Sequence, residues 1–388
     1  MQAIVEKQKC SGCSACYNSC PVHCIHMTSD NEGFLYPEID ENKCIDCGLC
    51  KKICPVMKKY EGNNEGRAYS CINKDEEKRL ESSSGGVFTL LAEYVINNGG
   101  KVFGALFDDE FNVLHISCDN VDELSKIRGS KYVQSRIENT YKEAEECLKS
   151  GALVLFSGTP CQISGLKAFL RKSYENLITA DIICHGVPSP KVWRKYLDYR
   201  EEQAGAKVRK ISFRNKKSGW TSYSVYFEFD NGTEYVKRVY SDLYMKGFLS
   251  DIYLRPSCYN CHFKSLNRES DITLADFWGV WDIAPEMFDN KGTSLVFVNT
   301  KKGQNIFKQI EDKIEFRETD LKTSVKYNSA AYKSVKLPHN RKRFFKNLDK
   351  IDLPINIEKN IRKSFIKRIF IKTVRITKKA VLKLIKIR

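Results

Sequence analysis

The fold class is α+β: a small cysteine-dense domain, then a larger mixed α/β domain, then a basic helical tail. Three observations predict it. Residues 1–58 hold an internal cysteine repeat. Apolar runs of strand length and helix length alternate from Arg67 to about Leu337. After Pro338 the composition turns to Lys, Arg, Ile and Phe. A chain of 388 residues favours two or three domains. Hydrophobic residues make up 42% and aromatics 11%, enough for a sizeable core, so global disorder is excluded. No uncharged apolar run reaches spanning length, and the start, MQAIVEKQKC, has no apolar segment of a secretory leader, so neither is expected.

In the first domain, Cys10, Cys13, Cys16 and Cys20 followed by Pro21 recur as Cys44, Cys47, Cys50 and Cys54 followed by Pro55. A hairpin-like stretch, Gly33 to Pro37, lies between the copies. The pattern C-x2-C-x2-C-x3-C-P is that of bacterial two-cluster ferredoxins. The x2 spacings wrap three thiolates around one cube of iron and sulfide. The fourth cysteine is turned away by its proline and serves the other cube. Cys10, Cys13, Cys16 and Cys54 are thus expected to hold one 4Fe-4S cluster, and Cys44, Cys47, Cys50 and Cys20 the second. Two structural zinc sites are the rival reading, which two full copies with both prolines argue against. Cys24 has no place in the pattern and reads as a spare buried thiol. His23 and His26 are expected on the surface. Residues 59–66, polar and glycine-rich, read as a linker.

The larger domain is expected over residues 67–340. Strand-length runs occupy 101–107, 152–156, 177–184, 222–229, 271–278 and 293–299. Helical periodicity fits 86–97, 141–149, 164–172 and 190–203. Gly99 and Gly100 stop the first of these helices.

This domain carries five phrases in order. Ser82 to Gly86 (SSSGG) precedes an apolar helix. Gly129 to Ser135 (GSKYVQS) follows a short helical stretch. Ser157 to Gln162 (SGTPCQ) closes a strand and opens a helix. Ile183 to Pro190 (ICHGVPSP) closes the next strand. Cys258 and Cys261 are followed by Asp271 to Gly279 (DITLADFWG). Together they resemble the beta subunit family of coenzyme F-420 hydrogenases and dehydrogenases, over about Arg67 to Leu337. The resemblance implies FAD, a third 4Fe-4S cluster, and electron exchange with a deazaflavin or another two-electron partner. It places that cluster on Cys161, Cys184, Cys258 and Cys261. Cys161 and Cys184 end neighbouring expected strands, at the sheet edge where cofactors gather, and Cys161 opens a helix whose amides favour a thiolate. The plainer alternative makes Cys161 and Cys184 buried thiols and the C-x2-C pair a zinc site or nothing.

Candidate flavin contacts are Ser84, Gly85, Gly86, Gly129, Ser130, Lys131, Tyr132 and Asp276. Glycines before a helix let a backbone approach a diphosphate, although a plain N-cap reads the same. Lys131 suits a phosphate or the reduced flavin, and Tyr132 the ring system; a solvated Lys and a core Tyr are the alternatives. Asp276 either approaches the flavin or caps a turn. His185 and Lys131 are the catalytic candidates, His185 as a proton carrier beside a cluster ligand. Trp278 and Trp281 read as packing residues, and Cys71, Cys118 and Cys147 carry no ligand spacing.

A flavin beside iron-sulfur clusters converts two-electron into one-electron chemistry. The expectation is an FAD and 4Fe-4S dependent oxidoreductase exchanging electrons with ferredoxin, a deazaflavin-type coenzyme or a redox partner protein. The alternative is a relay subunit with no substrate site that docks on a catalytic partner.

The net charge is +16, but residues 361–388 carry eleven Lys and Arg and no acid, leaving +5 for the rest. The tail, taken from residue 341 to 388, projects a basic stripe opposite Ile366, Phe370, Val374, Val381 and Leu384 when wound at about 100° per residue. That pattern fits an anionic membrane surface or an acidic partner, and no nucleic acid, since a reading motif is absent. The expected setting is cytoplasmic, with the tail offering peripheral contact to the inner membrane face.

Overall fold

A computed structural model describes residues 4–58 and 66–361. The expected linker and the amphipathic stripe of the tail therefore lie outside the described residues, apart from Gly66 and Ile361.

In the N-terminal part, each cysteine loop runs into a short helix, Ala15–Ser19 and Leu49–Lys52. Each helix is entered through a left-handed residue, Ser14 at φ 61° and Gly48 at φ 69°. Between the loops, strand β1 (Ile25–Ser29) pairs antiparallel with β2 (Leu35–Ile39). The turn is set by Asp30, whose Oδ1 accepts from the amides of Glu32 and Phe34 at 3.0 Å each.

The larger part contains β3 (Arg67–Asn73), β4 (Lys101–Phe107), β5 (Val113–Cys118), β6 (Val154–Gly158), β7 (Leu177–Ile182), β8 (Val208–Asn215), β9 (Ser224–Phe229), β10 (Glu234–Arg238), β11 (Ile272–Asp276), β12 (Ser294–Val298) and β13 (Ile314–Thr319). Eight of these form one sheet in the order β13-β3-β12-β11-β7-β6-β4-β5. β4, β6, β7 and β11 run parallel at its centre. Antiparallel neighbours flank them on both sides. β8, β9 and β10 make a separate antiparallel sheet.

Period-two side-chain alternation divides the core. Val102 and Leu155 face the Val87–Asn97 helix, whereas Phe103, Val154 and Phe156 face the Thr140–Lys149 and Pro160–Leu170 helices. The large sheet is thus covered on both faces, as a central parallel sheet requires. The third core joins the small sheet to the Pro190–Ala204 helix and to Phe344, Leu348, Leu353, Ile357 and Ile361. Residues 341–361 therefore pack into the large domain instead of leaving it at residue 340.

Several expected boundaries move, two of them at the site. The helix expected at 164–172 begins at Pro160, because proline at the first helical position is pre-organised and gives up an amide that has no partner there. The strand expected to reach Cys184 ends at Ile182, so Cys184 sits on the loop beyond it. Strand β3, missed by periodicity, is buried on both faces and shows no alternation.

The two parts are tightly docked. Arg341 reaches across to the Glu32 carboxylate, and Ser189 Oγ donates to the Glu32 carbonyl. Asn18 Nδ2 donates to Glu138 O at 3.0 Å. A Cβ on Gly165 would stand 2.9 Å from the Cβ of Cys13, so only glycine lets the first cysteine loop lie on the Pro160–Leu170 helix.

Candidate redox site

β6 and β7 are adjacent and parallel, so their carboxyl ends open on the same edge. β6 leads through Thr159 into the Pro160–Leu170 helix, putting Cys161 in its first turn. Gln162 Oε1 accepts from the Thr159 amide at 2.9 Å and stiffens this junction. β7 leads to Cys184. Cys258 sits in the short 3-10 turn Pro256–Asn260, with its Sγ accepting from the Val187 amide at 3.5 Å. Cys261 follows, its amide held by Ser334 Oγ at 2.9 Å. These four cysteines line one cavity.

Burial pushes the Cys161 and Cys184 thiols up, and the Cys258 thiol to about 12, with mutual repulsion among the thiolates adding to it. At Cys161 desolvation of the thiol is the largest influence, with the Thr159 hydroxyl acting against it. Such thiols are poor nucleophiles, and a metal that replaces the proton is what makes them anionic. The cavity supplies counter-charge. Lys264 donates to the carbonyls of Cys184 and Ala330, and Arg268 pairs with Asp181 at 3.1 Å. Neither residue was singled out from the sequence, although both follow the C-x2-C pair closely. His185 lines the same cavity and holds Asp251 Oδ1 at 2.6 Å.

Cys10, Cys13, Cys16 and Cys54 line a second cavity, under Ile4, Met27 and Val56. Burial raises Cys13 to about 12 and pushes Cys16 up as well, with Cys10 and Cys54 among the charges acting on both. Cys44 and Cys47 act in the same way on Cys50. Cys24 packs with its sulfur 3.4 Å from that of Cys20, buried as expected. His23 and His26 are exposed. None of the sixteen cysteines forms a disulfide. Among the described residues, no group of three Cys, His, Asp or Glu side chains is close enough to grip a single ion. A four-iron cube asks for a wider set, since each thiolate takes its own iron.

The flavin candidates gather in one neighbourhood, but several are already engaged. Ser83 Oγ accepts from the Ser130 amide at 2.8 Å, joining the first two phrases. Ser84 Oγ donates to Thr293 O at 2.9 Å. Gly85 is glycine for packing: a Cβ there would stand 2.3 Å from the Cys71 carbonyl. Gly86, at φ 85°, is the residue before the Val87–Asn97 helix. Gly129, at φ 84°, faces open space.

Lys131 donates to the carbonyls of Lys126 and Arg128, and burial pulls its ammonium down to about 7. The Tyr132 ring packs on Phe213 and Phe248 with centroids 5.4 and 5.0 Å away, as its alternative reading as a core residue has it. Asp276 caps no turn. It forms a two-point pair with Arg214 and accepts from Trp220 Nε1 at 2.8 Å. Trp220 in turn stacks on Trp278 at 4.9 Å, whereas Trp281 is 40% exposed. Arg214, unsuspected from the sequence, also donates to the Tyr132 hydroxyl and keeps a buried Nε without a partner. A phosphate would meet the Lys131 ammonium, which already donates to two carbonyls, and the open approach at Gly129.

Two family models match separate stretches of the chain. Residues 9–57 match the family described as 4Fe-4S dicluster domain. Residues 151–323 match the family described as the C terminus of the beta subunit of coenzyme F420 hydrogenase/dehydrogenase. A curated relative, the coenzyme F420-dependent sulfite reductase of Methanocaldococcus jannaschii, is 34% identical over 90 residues, 23% of this chain and 14% of that protein. The chain thus spans a small part of that relative's length. The solved F420-reducing [NiFe] hydrogenase complex of Methanosarcina barkeri, studied by xenon derivatization, aligns over 79% of this chain and 93% of its own, at 18% identity and a TM-score of 0.46.

Proposed function

Since residues 9–57 belong to the 4Fe-4S dicluster domains and residues 151–323 to the C-terminal family of F420 hydrogenase/dehydrogenase beta subunits, we propose that this iron-sulfur chain is an FAD-dependent oxidoreductase. It exchanges electrons between a two-electron carrier of the deazaflavin class and a one-electron acceptor such as ferredoxin. The single observation that carries this reading is the convergence of Cys161, Cys184, Cys258 and Cys261 on one cavity, next to the helix on which the Cys13 loop rests. FAD supplies the exchange between hydride and single electrons, and the clusters carry single electrons onward.

The chain's own residues do the rest. Four thiolates hold the third cube, with Lys264 and Arg268 beside it to offset its negative charge. Glycine at 165 keeps the Cys13 loop close, which shortens the electron's path into the N-terminal clusters. Lys131 and the open backbone at Gly129 receive the flavin's phosphates. His185, oriented by Asp251, moves a proton at the cavity as charge arrives.

Anaerobic purification with iron, sulfide and flavin quantified per chain tests the reading. About 12 iron and one FAD are expected from three four-iron cubes, together with reduction of the iron by a reduced deazaflavin. A second reading, a relay subunit without a substrate site, is favoured by the engagement of Tyr132 and Asp276 in packing and ion pairing. Iron-replete protein that binds no flavin and takes no electrons from the deazaflavin unaided would establish the relay and overturn the first reading.

A further inference from the structure

Arg255 is fully buried, at 0% exposure, where the two parts of the chain meet. Its Nε donates to the carbonyl of Cys10 at 2.8 Å, its Nη2 to Leu35 O at 2.9 Å and its Nη1 to Gln134 Oε1 at 3.2 Å. Its guanidinium lies over the Tyr36 ring at 4.2 Å. A Cβ on Gly12 would be 2.9 Å from Nη1, so the group presses on the loop between Cys10 and Cys13. Among the described residues, no carboxylate pairs with it, and every hydrogen-bond acceptor is neutral. A buried guanidinium without an anion is strongly unfavourable. The cube held by Cys10, Cys13, Cys16 and Cys54 is the anion that the Arg255 side chain approaches through the Cys10 carbonyl and the Gly12 loop, while its charge also acts on the Cys258 thiol. The Arg255 carbonyl also accepts from the Cys258 amide at 2.9 Å, so one residue bridges the first cysteine loop and the turn that carries Cys258.

We propose that Arg255 is the resident counter-charge of the first N-terminal cluster and raises its reduction potential relative to the second. When the cube accepts one electron from a reductant, cube and thiolates together become one unit more negative, and the fixed cation favours that state. Net charge and hydrogen bonding are among the factors that set such potentials. The first cluster then becomes the preferred landing point for electrons crossing between the two parts. The inference rests on the dicluster domain alone and needs neither the flavin nor the third cube.

The test is an anaerobic potentiometric titration of the full chain, followed by electron paramagnetic resonance, with iron counted for each variant. Arg255→Gln is expected to make reduction of the first cluster at least tenfold less favourable, about 59 mV for one electron. Arg255→Lys, which keeps the charge, restores most of the loss. The isosteric Gln134→Glu, which neutralises the guanidinium in place, lowers the same potential and keeps the test decisive if Arg255→Gln releases iron. The second cluster serves as internal control. A native first-cluster potential in either iron-replete variant, or an equal fall at both N-terminal clusters, overturns the proposal.

Discussion

Cys258 sits on the short turn Pro256–Asn260, its Sγ accepting from the Val187 amide. Its replacement tests the third cube without dismantling the fold: Cys258→Ala is expected to lower iron from about 12 to about 8 per chain, read by iron assay beside an unchanged circular dichroism spectrum. Asp276 is a different case, because its pairing is structural. The Arg214 and Asp276 side chains are 4% and 14% exposed, and Asp276→Ala leaves a buried cation alone. A loss of about 3–5 kcal/mol in urea unfolding is expected. Lys131 gives a pH signature. Its ammonium titrates near 7 in the folded chain against an ordinary 10.5, so between these values the unfolded chain holds the extra proton and stability rises with pH. Lys131→Met should flatten that rise, its advantage over the parent being greatest below pH 7 and gone near pH 10.5. Urea midpoints of the flavin-free protein measured across this range decide it.

At the scale of elements, the Pro160–Leu170 helix does two jobs: its first turn presents Cys161 and its middle receives the Cys13 loop. Gly165→Ala forces that loop outward by crowding the Cys13 Cβ and the Tyr141 hydroxyl, both 2.9 Å from the new methyl. About 1–3 kcal/mol of destabilisation is expected from overpacking, with slower electron transfer to the N-terminal clusters in stopped-flow reduction. Full stability with native transfer rates would show that the contact is dispensable. The helix is legible from its periodicity, but periodicity places its start four residues late, because a proline reads as a breaker anywhere beyond the first turn. β4 matches its apolar run at 101–107 residue for residue, since after Lys101 the run is apolar or glycine throughout. β3 does not, because both of its faces are covered and its sequence carries no period.

For the molecule as a whole, the described chain packs through Ile361, beyond the end of the larger domain read from composition. The shift at Pro338 marks more basic surface, while Phe344 and Leu348, and after a break Leu353, Ile357 and Ile361, recur four residues apart on buried sides. If the full chain sediments with anionic vesicles through its basic end, truncation after Ile361 is expected to abolish that sedimentation and to leave iron content intact. Equal sedimentation of the full and truncated chains would exclude the basic end as the cause. Among the described residues no helix is long and apolar enough to cross a membrane.

The cysteine repeat is readable without any fold, because cluster ligation in ferredoxins is local: three ligands fall within one loop and the spacing itself carries the chemistry. The phrases around Cys161, Cys184, Cys258 and Cys261 are also visible, yet their convergence is not, since it depends on β6 and β7 lying side by side and on a turn more than seventy positions away. Arg214, Lys264 and Arg255 are invisible in the sequence for the same reason. An arginine's partner is chosen by packing across the fold, and linear spacing holds no record of which buried charge faces which cavity.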